Sequence, residues 1–307
     1  MAFAESYRRQ AALLLRALPH VAVEDCFALK GGTAINLFVR DLPRLSVDID
    51  LTYLPVEPRA ASLAAIGAAM TRIAQRIEGG IPGARITTSR ADNAVTKLIV
   101  RADFVQIKIE VTPVLRGTVY QPERRSVSPA VEDAFGFAEI NVVSFADLYA
   151  GKIVAALDRQ HPRDLFDIRA LLANEGIGDD LRRAFVVYLL SHGRPMFEVL
   201  KSVPKDITAE FVRGFEGMTD VPITVAELVA ARKQLVAEIV DKMPDAHRRF
   251  LVSFERGQPI WSLLDVPGVE ALPAVLWRQQ NLDSLEPARR QALVDNLKAV
   301  IGADDDD

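Results

Sequence analysis

Asp48 and Asp50 stand two residues apart in Ser46-Val47-Asp48-Ile49-Asp50-Leu51-Thr52-Tyr53, where Val47, Ile49 and Leu51 alternate with the acids. A period of two marks a half-buried strand, so both carboxylates project from one face. So close together, the two resist ionising unless a cation lies between them. With one cysteine, Cys26, and four scattered histidines, His20, His161, His192 and His247, the chain assembles no zinc spacing, and any metal is held by carboxylates. Mg²⁺ takes oxygen ligands and is shared between one or two carboxylates and substrate phosphates. The pair therefore points to phosphoryl or nucleotidyl transfer.

Upstream lies Lys30-Gly31-Gly32-Thr33-Ala34-Ile35-Asn36-Leu37-Phe38. Two glycines at the start of a helix let backbone N–H groups approach an anion, and with Thr33 they form a phosphate seat. Either piece alone is commonplace, since a lone D-x-D is often a solvent-facing edge and a lone Gly-Gly a turn; in this order they are more specific. Gln106-Ile107-Lys108-Ile109-Glu110-Val111 alternates in the same way and offers Glu110 as a third carboxylate, with Lys108 on its face. An exposed charged pair on a half-buried strand fits that spacing equally, and Asp103 competes from near a strand end. Lys97 and Arg44 are further candidate phosphate contacts, each with a plain surface reading.

Lys152 sits inside an otherwise apolar helical stretch, with Gly151 and Ala155-Ala156 keeping its surroundings small. Such a lysine can reach inward to a triphosphate. Arg163, Asp164 and Asp167 follow at the start of the next helix and can orient it or bind substrate; the plainer alternative is a surface staple between helices. A lysine facing a cleft contributes little to a core, so its loss is expected to spare the fold.

These residues together resemble the nucleotidyltransferase superfamily of DNA polymerase β-type fold, whose signature is Gly-Gly or Gly-Ser before a helix and Asp-x-Asp on the next strand. More narrowly, GGTAINLF followed by Arg44, Ser46, Asp48, Ile49, Asp50 and Leu51 is similar to the AbiEii/AbiGii-type toxin family, the nucleotidyltransferase half of bacterial toxin–antitoxin and abortive-infection pairs. Recognisable motifs cover about residues 28–170. The resemblance implies a toxin that moves a nucleoside monophosphate from an NTP to an acceptor, with pyrophosphate released and a cognate antitoxin as partner. By the family pattern, Asp48, Asp50 and Glu110 hold Mg²⁺ or Mn²⁺, and Gly31, Gly32, Thr33, Ser46, Lys152 and Arg163 bind the nucleotide. Asp167 joins the catalytic set by holding the lysine or the metal-side network, and Asp164 and Asp147 support it. The acceptor it favours is the tRNA 3′ end, blocking aminoacylation; a protein or small-molecule acceptor, or a non-catalytic nucleotide-binding module, is the rival.

The elements that must position these groups fall into two halves. Glu5 to Leu18 reads as a helix ending at Pro19, Phe27 to Leu29 as a strand, Thr33 to Val39 as helix, 59–77 as an alanine-rich helix, and 84–90, 94–102 and 104–112 as strands. From Ser144 the period is 3.6 throughout, with helices near 145–157, 163–172, 179–191, 223–241, 244–256 and 284–300. The expected class is α+β: a nucleotidyltransferase-type mixed sheet over 1–143, a helical domain over 144–303 that contributes Lys and Asp to a cleft between them, and a disordered acidic tail at 304–307. Trp261 and Trp277 read as core residues rather than base-stacking platforms.

The 307 residues are 50% hydrophobic and 25% charged, the profile of a globular chain and not of a disordered one. No apolar run is long enough to span a membrane, and the first residues read as an amphipathic helix, not a signal peptide, so a cytoplasmic protein without a membrane partner is expected. Thirty-seven Lys and Arg face 41 Asp and Glu, a net charge of −4, so only a local basic surface is available to grip an RNA. Most basic residues beyond 180 read as solvated helix faces.

Overall fold

The computed structural model describes residues 3–201 and 203–303. The acidic tail, 304–307, lies outside the described residues. The chain divides into two compact units, Met1–Ser144 with Phe215–Pro222, and Phe145–Gly214 with Ile223–Asp307. The excursion at 215–222 carries no sequence signal. It is held in the first unit by backbone bonds from Leu45 N–H to Met218 O and from Ala4 N–H to Gly217 O, and by the Thr219 hydroxyl donating to Pro43 O.

The first unit runs α1 (Glu5–Val21), β1 (Phe27–Lys30), α2 (Gly31–Ala34) continued by a π-helical turn (Ile35–Val39), β2 (Asp48–Tyr53), α3 (Arg59–Gly80), β3 (Arg85–Ala91), β4 (Ala94–Ala102), β5 (Val105–Arg116), β6 (Glu123–Ser126), α4 (Pro129–Phe135) and β7 (Glu139–Val142). Helix α1 passes through Pro19 instead of stopping there. The proline falls in the last turn, where it forfeits one ladder bond, and fully buried Leu18 and Val21 offset that loss. The seven strands form one mixed sheet in the order β3-β4-β5-β2-β1-β7-β6, with β2–β5 and β1–β7 parallel and the remaining pairs antiparallel.

Alternation sorts the two faces of the sheet. Ile49, Leu51, Leu98, Val100, Ile107, Ile109 and Val111 are buried. Helix α1 packs against β5 and α3 against β4. Each such side chain contributes roughly 1.5–3 kcal/mol by leaving water. Asp48, Asp50, Lys97, Lys108 and Glu110 occupy the intervening positions. One apolar layer thus fixes the direction in which every acid of β2 and β5 points.

The second unit is helical: α5 (Phe145–Asp158), α6 (Pro162–Asn174), α7 (Asp179–Leu190), α8 (Met196–Leu200), α9 (Thr208–Gly214), α10 (Val225–Val236) with a π-helical continuation (Ala237–Asp241), α11 (Asp245–Glu255), α12 (Pro273–Asp283) and α13 (Pro287–Ile301). Helix α6 starts on Pro162, with the Arg163 N–H donating to His161 Nδ1 at 3.1 Å. Trp261 packs on Phe250 and Phe254, whereas Trp277 is exposed, contrary to its expected core position. Several basic residues beyond 180 are struts and not solvated faces: Arg232 and His247 are buried, and Arg182 and Arg290 donate to Glu238 O and Leu282 O. No described helix is long and apolar enough to cross a membrane.

Candidate active site

Strand register assembles the first cluster. Antiparallel pairing sets Lys30 opposite Asp50, parallel pairing sets Asp48 opposite Lys108 and Asp50 opposite Glu110, and β4–β5 pairing sets Lys97 opposite Glu110. Lys30, Asp50, Glu110 and Lys97 therefore form a row across four strands, with Asp48 and Lys108 beside it. Burial above all pushes the Asp50 carboxyl up, and Asp48 and Glu110 add to this against the pull of Lys108 and Lys30. Burial also pulls Lys30 below its ordinary value, against Asp50 and Glu110. Glu110 behaves oppositely: burial would raise it, but Lys108 and Lys97 outweigh burial and hold it ionised below the usual range.

The glycines serve this cluster through what they lack. Gly31 has φ +76°, and a Cβ there would lie 2.8 Å from Asp50 Oδ2; a Cβ on Gly32 would lie 2.8 Å from Arg44 Nη2 and 3.1 Å from Ser46 Oγ. Thr33 is fully buried, its hydroxyl bonded to Ser46 Oγ at 2.9 Å and to the Asp48 carbonyl. Thr33 and Ser46 thus tie the glycine turn to the acidic strand. Arg44 is also buried, its Nη1 donating to Leu45 O at 3.0 Å, so it underlies Gly32 instead of lying on the surface. Gly31→Ala is expected to cost about 1–3 kcal/mol from the positive φ alone. It should also displace Asp50 and reduce nucleotidyl transfer more than its urea-denaturation midpoint accounts for; an unchanged rate in a folded variant would contradict this geometry.

Among the described residues no group of three or more His, Cys, Asp or Glu side chains is placed to hold a metal ion. Glu110, expected as a third ligand, has Oε1 3.5 Å from Lys97 Nζ and Oε2 3.0 Å from Lys108 Nζ. A divalent cation fits Asp48 and Asp50 as a two-carboxylate site, and Asp50 is the group whose burial the surrounding lysines do not offset. The sequence reading overlooked Lys30, whose only signal is its place at the end of an apolar run directly before the glycines.

The second cluster lies wholly within the helical unit. Lys152 Nζ is 2.8 Å from Asp164 Oδ1 and 3.0 Å from Asp167 Oδ2, and Arg159 Nε is 2.6 Å from Asp164 Oδ2. The Lys152 side chain is only 6% exposed and those of both aspartates 1%, so this is a buried ion cluster, not a surface staple. Gly151 admits Tyr188, whose ring would be 3.3 Å from a Cβ there, and Tyr188 Oη donates to Asp147 Oδ1 at 3.2 Å. Burial alone would raise Asp164, but Lys152 and Arg159 hold its carboxyl well below the usual range. A carboxylate depressed in the folded state contributes stability above its unfolded value and loses it as pH falls. Urea denaturation should therefore show stability dropping below about pH 4, and Asp164→Asn should flatten that limb; a limb unaltered in the variant would contradict the assignment.

A mixed sheet carrying an Asp-x-Asp strand beside a Gly-Gly turn is the arrangement that the nucleotidyltransferase resemblance implies. Residues 12–275 match the model of the nucleotidyl transferase AbiEii toxin family of type IV toxin–antitoxin systems, and the chain belongs to that family. Among solved structures it is similar in fold to MenT4, a nucleotidyltransferase toxin from Mycobacterium tuberculosis H37Rv, with a TM-score of 0.58 and 16% identity over 96% of this chain and 92% of that one. No curated protein matches the chain.

Proposed function

We propose that the chain is the toxin of a toxin–antitoxin pair and transfers a nucleoside monophosphate from an NTP to the 3′ end of tRNA, blocking aminoacylation, with a cognate antitoxin as its partner. The observation that carries this reading is the Asp48–Asp50 pair set against a turn without side chains, where a Cβ on Gly31 would collide with Asp50. Asp48 and Asp50 would hold Mg²⁺ or Mn²⁺, which when bound neutralises phosphate charge and polarises the phosphorus under attack. The backbone N–H groups of Gly31 and Gly32 bind outer phosphate oxygens. Thr33 and Ser46 keep that turn in register with Asp48, and Lys30 offsets charge at Asp50. The family pattern alone names Lys152 and Arg163 as candidate cations for the nucleotide; within the helical unit Lys152 is oriented by Asp164 and Asp167, and α5 is braced by Asp147 through Tyr188. An acceptor hydroxyl attacks the α-phosphate, the new P–O bond replaces the bond to the β-phosphate oxygen, and pyrophosphate leaves.

The tRNA assignment follows the family resemblance, and the test concerns the acceptor. Total tRNA incubated with the protein and each NTP in turn should gain nucleotides at its 3′ ends, read by end sequencing, and lose its capacity to be charged with amino acids. Unchanged tRNA together with nucleotide on a protein or a small molecule would replace this acceptor.

A further inference from the structure

We propose that Glu110 is a positioning residue and not a metal ligand, and that it holds Lys97 and Lys108 as a two-ammonium shelf for a phosphate group beside Asp48 and Asp50; this rests on the nucleotidyl-transfer reading above. Register supplies the first reason. Asp50 is opposite Glu110, Glu110 is opposite Lys97, and Lys108 is two residues from Glu110 on the same face. The ion pairs supply the second, because each Glu110 oxygen is directed at a different lysine, at 3.5 and 3.0 Å. Among the described residues neither lysine has another hydrogen-bond or ion-pair partner, so each ammonium, a three-donor group, keeps donors to offer.

Charge and access supply the third. Two ammonium groups flank the one Glu110 carboxylate, Lys108 also facing Asp48 and Asp50, and the side chains of Lys97, Lys108 and Glu110 are 37%, 33% and 34% exposed, open to a ligand. Phosphate oxygens are the natural acceptors for compact, strongly hydrated ammonium groups. Holding both lysines in advance removes part of the side-chain entropy that ordering them on binding would cost. The phosphate belongs either to the nucleotide or to the backbone of the acceptor, and the two sources separate experimentally.

The test uses the full chain and three binding measurements: Mn²⁺ alone by electron paramagnetic resonance, a fluorescent non-hydrolysable NTP analogue without acceptor, and tRNA without nucleotide. Lys97→Met and Lys108→Met are each expected to weaken one phosphate ligand about tenfold or more, whichever ligand it is identifying the source, and Lys97→Arg is expected to retain binding. Glu110→Gln is expected to leave Mn²⁺ affinity unchanged, whereas Asp50→Asn abolishes it. In a Glu110→Ala background the Lys97→Met penalty should shrink to less than about threefold, the signature of coupling. Loss of Mn²⁺ binding in Glu110→Gln, a Lys97→Met penalty that is the same in both backgrounds, or unaltered affinity for both phosphate ligands in the lysine variants would each overturn the proposal. A wild-type chain that binds and transfers nucleotide while the shelf variants are unaffected removes this inference alone; a wild-type chain that binds neither ligand removes the transfer reading with it.

Discussion

Lys152→Ala is expected to destabilise the protein by about 3–5 kcal/mol, which lowers Tm by on the order of 10 °C. The sequence presents this lysine as a cleft-facing group dispensable to the fold, and its burial reverses that expectation. Asp164 and Asp167 are themselves buried, so removing the ammonium leaves two carboxylates without their central counter-charge, and Arg159 reaches Asp164 only from an exposed position. Breaking a buried ion cluster costs more than replacing it whole. Lys152→Met combined with Asp164→Asn and Asp167→Asn should therefore recover part of the lost Tm. Loss of transfer in Lys152→Ala must accordingly be measured at a temperature where the variant is folded by circular dichroism. A Tm equal to that of the wild type would contradict the buried-cluster account.

Asp50→Asn should have the reverse signature, loss of chemistry with the fold intact. On the proposed reading Asp50 would hold the divalent cation, and its removal is expected to cost about 4 kcal/mol of transition-state stabilisation, roughly a thousandfold in kcat/KM. Burial above all raises Asp50 in the folded protein, so without metal its stability contribution falls as pH rises from the ordinary carboxylate range through that raised value. At neutral pH the amide relieves the penalty, and the metal-free Asp50→Asn protein should melt at or above the wild-type temperature. Added Mg²⁺ or Mn²⁺ should raise the wild-type Tm and leave the variant unmoved. A variant that melts lower and still gains stability from the cation would place the metal elsewhere.

What the sequence made legible was local. Alternation identified β2 and the faces of Asp48, Asp50, Lys108 and Glu110, because period two needs no knowledge of the partner strand. The helices that start at Phe145 and Pro162 were readable, to within a residue, from the 3.6-residue spacing that sets in at Ser144. Pairing between distant segments was not readable. Nothing local says that β2 lies between β1 and β5, so the row from Lys30 to Lys97 and the capture of Glu110 by two lysines emerge only from register. The same holds for Lys152: an apolar helix announces an inward lysine, but not whether acids or a ligand's phosphates await it. Strand β6, Glu-Arg-Arg-Ser at the sheet edge, has no apolar alternation to find. The π-helical turn at Ile35–Val39 keeps the apolar composition of an α-helix, and its wider backbone bonding, such as the Arg40 N–H bond to Ile35 O, distinguishes it.

The most direct measurement follows the α-phosphate. Purified wild-type and Asp50→Asn proteins, each incubated with divalent cation, total tRNA and an NTP labelled at the α-phosphate, are resolved so that RNA, protein and small molecules separate on one gel, with pyrophosphate quantified in parallel. The account predicts label on tRNA and stoichiometric pyrophosphate with the wild-type protein, and neither with the variant. Label transfer that persists in Asp50→Asn, or pyrophosphate released without any labelled acceptor, would contradict the assignment of the Asp48–Asp50 strand as the centre of nucleotidyl transfer.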